Sequence, residues 1–335
     1  MKAMTIEKYG NVPLELTEQP LPVVSAHDVL VEIHAASINP VDFKIRDGKV
    51  KLLIPFQFPL ILGNDFAGIV TRVGSAVTQF QVGDAVYGRA EKQRIGTFAE
   101  FIAIHEDLVA RKPDALSFEE AAAIPLVGLT SYQALHDVLQ ATPGQKILIQ
   151  AGAGGVGTFA IQLAKAMGLY VATTASPAGH DLVKALGADE IIDYRTVAFD
   201  EVLHDFDGVY DTIGDDTLRR AFKIVRPGGQ IVSISGLPNG RFGKAYGSGV
   251  LKTMLFRLLT VREAFLERKY RVTYTFLFMK PSGRQLQHIT EWIETGQIKP
   301  VIDRVYPFEA AQEALAYSES GHAKGKVILK VKEAN

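Results

Sequence analysis

Three hundred and thirty-five residues, 47% hydrophobic and 22% charged, suffice for two globular cores or one large α/β unit. Thirty-six Lys and Arg against 37 Asp and Glu leave a net charge of −1, so no general basic field is present to hold nucleic acid. A cysteine count of zero excludes disulfides, thiolate metal sites, iron–sulfur clusters and a cysteine nucleophile together. No run of about 18 apolar residues marks a membrane span, and membrane contact is not expected. Met1-Lys2-Ala3-Met4-Thr5 leads into no apolar signal stretch, so a cytoplasmic enzyme is the expectation.

The first 120 residues read as β-rich. Short apolar runs at 29–33, 69–73 and 98–104 alternate with turn residues, and Gly63, Gly68, Gly74, Gly83 and Gly88 mark tight corners. This is the rhythm of a barrel or sandwich. Ser117 followed by Phe118-Glu119-Glu120 reads as a helix N-cap with an acidic first turn. From about 128 to 236 the signals alternate: strands at 146–150, 170–174, 191–192, 208–212 and 230–235, and helices at 157–167 and 181–186. Such alternation predicts a parallel sheet with crossover helices. The tail reads as a helix at 285–295, a strand at 300–305, a helix at 310–318 and a final strand at 326–331.

The strongest chemical signal is Ala151-Gly152-Ala153-Gly154-Gly155-Val156-Gly157, directly after a predicted strand and opening a helix. Gly152, Gly154 and Gly157 fit G-x-G-x-x-G, which permits a tight turn, close approach of a pyrophosphate, and close packing of helix on strand. A dinucleotide site is expected, with Gly155 and Val156 in the same loop. The next strand ends in Thr173-Thr174-Ala175-Ser176, with no carboxylate before Asp181 to hold a ribose 2′-hydroxyl. That favours NADP(H). Gly214 and Gly236, each just beyond a predicted strand, fit the crevice at the carboxyl ends of such a sheet.

Several ordered stretches together resemble the medium-chain dehydrogenase/reductase superfamily. They include Ser37-Ile38-Asn39-Pro40-Val41-Asp42, Gly63-Asn64-Asp65-Phe66-Ala67-Gly68, Gly83-Asp84-Ala85-Val86-Tyr87-Gly88, the glycine loop, Arg226-Pro227-Gly228-Gly229 and Gly325-Lys326-Val327. Within the superfamily the chain is most similar to the zinc-independent quinone oxidoreductase branch, particularly its alkenal/enone reductases. The resemblance implies an α/β fold in which a GroES-like β-barrel catalytic domain, 1–123 with 282–335, encloses a Rossmann doubly wound parallel sheet domain, 124–281. Zinc-dependent relatives carry a His-Glu pair where this chain has Asn64-Asp65. The eight histidines also show no ligand spacing, so no metal is expected.

The resemblance implies site residues as well. Asn39 matches an asparagine beside the nicotinamide, and Lys44 a lysine that polarises the acceptor oxygen or delivers a proton. Thr130 matches a threonine at the nicotinamide end, Ser176 and Tyr194 match 2′-phosphate contacts, and Lys326 matches a tail lysine that reaches the cofactor. Gly179 stands where a phosphate-binding lysine is usual, leaving His180 or Arg195 to compensate. The implied reaction is hydride transfer from NADPH to a quinone, enone or enal, substrates that carry their own activation. An enoyl-thioester reductase and a non-catalytic nucleotide-binding or sensing protein are the alternatives. A homodimer is the family expectation.

Residues 241–271 depart from the family length. Eight basic residues there face Glu263 and Glu267 alone, a balance of +6 that leaves −7 elsewhere. Met254, Leu258, Val261 and Phe265 recur at helical spacing, widened by Leu251, Leu255 and Leu259. A packed helix with a solvated basic face is expected. A lid, a dimer contact or an anionic membrane contact are the other roles such a segment fits.

Overall fold

The computed structural model describes residues 1–332, and the chain divides into two units, Met1–Leu129 with Lys280–Asn335, and Thr130–Met279. The first unit begins with β1 (Lys2–Ile6), β2 (Glu15–Glu18), β3 (Asp28–Ile38), α1 (Pro40–Arg46), β4 (Leu60–Ile61), β5 (Asp65–Val73), β6 (Ala85–Arg89), β7 (Phe101–His105) and β8 (Val109–Arg111). Helix α2 (Phe118–Ala122) starts at the Ser117 cap, whose hydroxyl accepts from the Glu120 N–H. Helix α3 (Pro125–Tyr132) carries the chain across the division between units.

In the second unit β9 (Lys146–Ile149), α4 (Gly155–Ala166), β10 (Tyr170–Ala175), α5 (Pro177–Ala185), β11 (Glu190–Asp193), α6 (Phe199–Val202), β12 (Phe206–Asp211), α7 (Asp215–Ala221) and β13 (Val225–Ser233) alternate as expected. There follow α8 (Gly240–Ala245), α9 (Gly249–Leu259), α10 (Val261–Tyr270) and β14 (Thr273–Phe276). The chain then re-enters the first unit through α11 (Gly283–Glu294), β15 (Ile302–Pro307), α12 (Ala311–Glu319) and β16 (Lys326–Lys330). The division anticipated at 123/124 and 281/282 falls at 129/130 and 279/280, because the helical stretch from Phe118 to Tyr132 gives no compositional break between units.

The first unit holds a seven-stranded sheet in the order β15-β16-β3-β5-β6-β8, with β7 also paired to β3, and a three-stranded sheet β2-β1-β4. Apart from the parallel β15–β16 pair its ladders are antiparallel. Alternate residues fill one core: Val29, Val31 and Ile33 from β3, Phe66 and Val70 from β5, and Val327 and Leu329 from β16. The second unit holds a six-stranded parallel sheet in the order β11-β10-β9-β12-β13-β14. Strand order reverses between β9 and β12, which makes the carboxyl ends of those strands the ligand crevice of this architecture. Among the described residues no helix is long and apolar enough to cross a membrane.

The segment 241–271 differs from its expected packing. It forms three helices, and the buried positions of α9 are Thr253 and Phe256, while Met254, Leu258, Val261 and Phe265 are all exposed. Periodicity located the stripe correctly but assigned it to the interior. The small residues Thr253 and Thr260 and the single ring of Phe256 fill the space on the inner side instead.

Tyr87 in β6 ties α11 to the sheet of the first unit. Its buried hydroxyl bonds the Leu286 carbonyl and the Thr290 hydroxyl, both at 2.9 Å. Tyr87→Phe removes both bonds while the Thr290 hydroxyl still donates to the Leu286 carbonyl at 3.1 Å, and urea denaturation is expected to show a loss of about 1 kcal/mol.

Candidate functional site

In the first unit, register brings five polar side chains into a row across four neighbouring strands. Val327 pairs with Ile38, Ser37 with Asp65, and Asp65 with Arg89. Lys326, Ser37, Asn39, Asp65 and Arg89 are therefore adjacent, and all are buried. The Lys326 ammonium donates to Asn39 Oδ1 and to the Ile38 carbonyl and lies 3.6 Å from the Asp65 carboxylate. Asn39 Nδ2 donates to Asp65 Oδ2 at 2.9 Å and to the Ser37 carbonyl at 3.2 Å. Both N–H groups of the Asn39 amide are thus committed inside the protein.

Asp42, on the first turn of α1, extends the row. Its carboxylate accepts from the Asn39 backbone N–H at 2.7 Å and from Asn64 Nδ2 at 2.6 Å. Burial pushes Asp42 up to about 7, against the pull of Asn64 and the Asn39 N–H. It also pushes Asp65 up and Lys326 down, each opposed by the other's charge. Arg89 falls to about 10 for the same reason and stays charged at neutral pH. Two carboxyls and two cations share one buried cluster, and Asn64 Oδ1, Asp65 Oδ1 and Arg89 Nε have no protein partner.

This donor set does not fit a zinc ion. It offers no thiolate, Asn64 and Asp65 are engaged by neighbours, and an ammonium and a guanidinium already supply the positive charge. Lys44 sits on the same helix α1, half-buried. Desolvation and the nearby Lys49 hold its ammonium below the usual lysine range.

In the second unit the glycine loop joins β9 to α4. Ala151 adopts the left-handed conformation (φ 50°) and is held there by its N–H donating to Thr174 Oγ1 at 3.0 Å. A Cβ on Gly152 would lie 2.2 Å from Thr173 Oγ1, and one on Gly157 would lie 2.3 Å from the Ala151 carbonyl oxygen. Both positions exclude any side chain. A Cβ on Gly154 would meet only that same oxygen, at 3.4 Å, and its backbone is extended. Nothing inside the chain demands glycine there, so the space it leaves fits a group from outside. With the half-exposed Gly155 and Val156 opening α4, this cradle fits a dinucleotide pyrophosphate.

The hydroxyls of Thr173 and Thr174 are spent on the Ile149 carbonyl and the Ala151 N–H, so they pin the loop. Ser176 caps α5 without a side-chain hydrogen bond. Ala175 pairs with Asp193, which sets Ser176 and the exposed Tyr194 side by side beyond the ends of β10 and β11. A Cβ on Gly179 would lie 2.8 Å from Ala153 Cβ, so α5 approaches the glycine loop too closely for the usual lysine. Gly214 accepts no side chain either, because a Cβ would lie 2.8 Å from the Ser235 carbonyl. At Gly236 it would lie 2.5 Å from the Tyr274 hydroxyl. Asp211, which composition did not single out, organises both turns: it receives the Gly214 N–H at 2.9 Å and the Ser233 hydroxyl. Thr130 is buried at the start of this unit.

The family model described as Alcohol dehydrogenase GroES-like domain matches residues 25–114, and that described as Zinc-binding dehydrogenase matches residues 186–329. The mouse (Mus musculus) protein "NAD(P)H oxidoreductase RTN4IP1, mitochondrial" is 34% identical over 359 residues, spanning 99% of this chain and 89% of that one. The 2-methylene-furan-3-one reductase of Solanum lycopersicum is 36% identical over 341 residues, spanning 98% and 79%. The structure of the quinone oxidoreductase from Coxiella burnetii matches with a TM-score of 0.85 at 31% identity over 99% of each chain. This chain belongs to the medium-chain dehydrogenase/reductase superfamily, in its zinc-independent quinone oxidoreductase branch. It is an oxidoreductase of the NAD(P)-binding dehydrogenase type.

Two outcomes follow from this geometry. The folded value of Asp42, about 7, lies above the ordinary 3.8, so the folded protein holds a proton that the unfolded chain has released. Its contribution to stability therefore falls as pH rises between those values. Urea titrations at a series of pH values should show this fall in the parent and not in Asp42→Asn. In the loop, Gly152→Ala should destabilise by at least about 2 kcal/mol. Gly154→Ala should fold within about 0.5 kcal/mol of the parent yet bind NADPH at least about tenfold more weakly, by fluorescence titration.

Proposed function

We propose that this protein is an NADPH-dependent, metal-free reductase that delivers hydride to a quinone or to the β-carbon of an α,β-unsaturated carbonyl. The observation that carries this reading is Lys44, a half-buried ammonium on α1 held below the usual lysine range, in a chain whose Asn64-Asp65 pair does not fit a metal Lewis acid. The relatives support it, since one is named for a methylene-ketone and another for quinones.

Bound NADPH supplies the hydride. Gly152, Gly154, Gly155, Val156 and Gly157 would hold its pyrophosphate, Ser176 and Tyr194 its 2′-phosphate, and Thr130, Gly214 and Gly236 the remainder of the crevice. The missing carboxylate at the end of β10 removes the group that would repel that phosphate. Lys44 acts on the acceptor. Hydride addition leaves charge on the carbonyl or quinone oxygen, and an ammonium with a lowered pKa both stabilises that charge and gives up its proton more readily. Asn39 and Lys326 act on the helix. With its amide locked by Asp65 and Lys326, Asn39 fixes the start of α1 and hence the placement of Lys44.

A homodimer is the assembly we expect, formed by the edge strand β14 pairing with its copy. A cytoplasmic location is the expectation from the sequence, although the name of the mouse relative places that protein in mitochondria.

A steady-state screen of NADPH and NADH against naphthoquinone, methyl vinyl ketone and an enoyl thioester tests this reading. Oxidation of NADPH by the first two is expected. Lys44→Met should lower kcat about a hundredfold with NADPH affinity unchanged. Tight NADPH binding without turnover on any acceptor would favour a nucleotide-sensing role instead.

A further inference from the structure

The outer face of α9 and α10 bears a combination that water does not stabilise. At about 100° per residue, Thr253, Phe256 and Thr260 gather on the inner side of this stretch and are buried. Leu251 and Leu258 lie opposite, flanked by Met254 and Leu255. Leu251 is 83% exposed, Val250 75%, Leu258 72% and Phe265 64%. Contiguous exposed aliphatic and aromatic side chains of this kind mark an interaction surface.

Charge then selects the occupant. From 240 to 262 the sequence contains Arg241, Lys244, Lys252, Arg257 and Arg262 and no Asp or Glu. Glu263 is committed to Arg219, and Glu267 to Arg241. Among the described residues Lys244, Arg257, Arg262 and Arg268 form no ion pair. Arg241, Lys244, Arg257 and Arg268 line a groove of about 320 Å³ together with Glu263 and Glu267, whose carboxylates are taken by Arg219 and Arg241, so Lys244, Arg257 and Arg268 are its cations without an ion pair among the described residues. A second copy of the chain seated here by two-fold symmetry would set this row of cations against itself. An anionic lipid surface satisfies both features, because acyl chains take the aliphatic residues and phosphates take the unpaired cations.

We propose that the α8–α10 face docks this protein peripherally on bilayers containing anionic phospholipid, with Val250, Leu251, Met254 and Leu258 entering the interface and Lys244, Arg257 and Arg268 holding headgroup phosphates. This is independent of which acceptor the enzyme reduces.

The test is cosedimentation of the full chain with vesicles of phosphatidylcholine alone or with one quarter phosphatidylglycerol. Binding to the anionic vesicles should exceed that to the neutral ones by at least about tenfold and weaken in 0.5 M NaCl. Leu251→Glu/Leu258→Glu and, separately, Lys244→Ala/Arg257→Ala/Arg268→Ala should each lower it about tenfold or more. These side chains are exposed, so NADPH affinity should stay at the parent value in both variants. The proposal is overturned if anionic vesicles bind no better than neutral ones. It is equally overturned if sedimentation velocity shows an oligomer of the parent that Leu251→Glu/Leu258→Glu dissolves, since a second copy would then occupy the face.

Discussion

The contact of Lys326 with Asp65 and Asn39 constrains the first unit more than any other single interaction. Burying an ammonium costs several kcal/mol unless a carboxylate and further acceptors meet it, and here the partners come from β3, from the cap of α1 and from β5. Lys326 stands on β16, Ser37 on β3, Asp65 on β5 and Arg89 on β6, side by side. A one-residue slip in any of these ladders would turn a charged side chain to the other face and leave its partners buried and alone. The aliphatic core favours the sheet, but many registers satisfy Val, Ile and Leu. The ion row is what separates the native register from its neighbours, and it does so where α1 and its lysine are mounted.

That row was only partly legible in the sequence. Asn39 and Lys326 were singled out separately, by resemblance. Their contact spans 287 positions in the chain, and no periodicity or spacing rule connects residues so far apart. Asp65 read only as part of the pair standing where zinc-dependent relatives carry metal ligands. The physical content, a closed group of two carboxyls and two cations, exists only once the strand order is known. The elements themselves were legible because their signals are local. The strands of the second unit have β-branched runs bounded by turns, and Ser117 has its acid three residues on. Helix α5 was placed four residues late, since Ser176-Pro177 is a cap and N1 pair that the missing apolar period concealed.

The glycine loop shows how one motif can contain two kinds of constraint. Gly152 and Gly157 are glycine for internal reasons, as their side chains would collide with Thr173 and with the loop's own carbonyl. Gly154 meets no such obstacle, since a Cβ there would find only the Ala151 carbonyl oxygen, at 3.4 Å. Spacing alone treats the three alike, and only the distances divide them. The same close packing accounts for Gly179. Drawing α5 against Ala153 tightens the loop but forfeits the position from which a lysine would reach a 2′-phosphate. Ser176 and Tyr194 stand at that edge, with His180 and Arg195 as the nearest basic residues in sequence.

The outer helices illustrate the limit of periodicity from the opposite side. A stripe at 3.6-residue spacing states that one face of a helix is apolar, and the usual inference sends that face inward. In α9 the inward face is built from Thr253 and Phe256 with Thr260 beyond them, which suffices to hold the helix because α8 and α10 flank it. The aliphatic stripe adds little to that packing, with Leu251 83% and Leu258 72% exposed. Leaving Leu251 and Leu258 in water forgoes about 1.5–3 kcal/mol of burial for each. A net charge of −1 hides this arrangement, since the +6 of the segment is cancelled by −7 elsewhere on the chain. Lys244, Arg257, Arg262 and Arg268, which form no ion pair among the described residues, and an aliphatic stripe left exposed on the same helices are two demands that an anionic lipid surface would meet together.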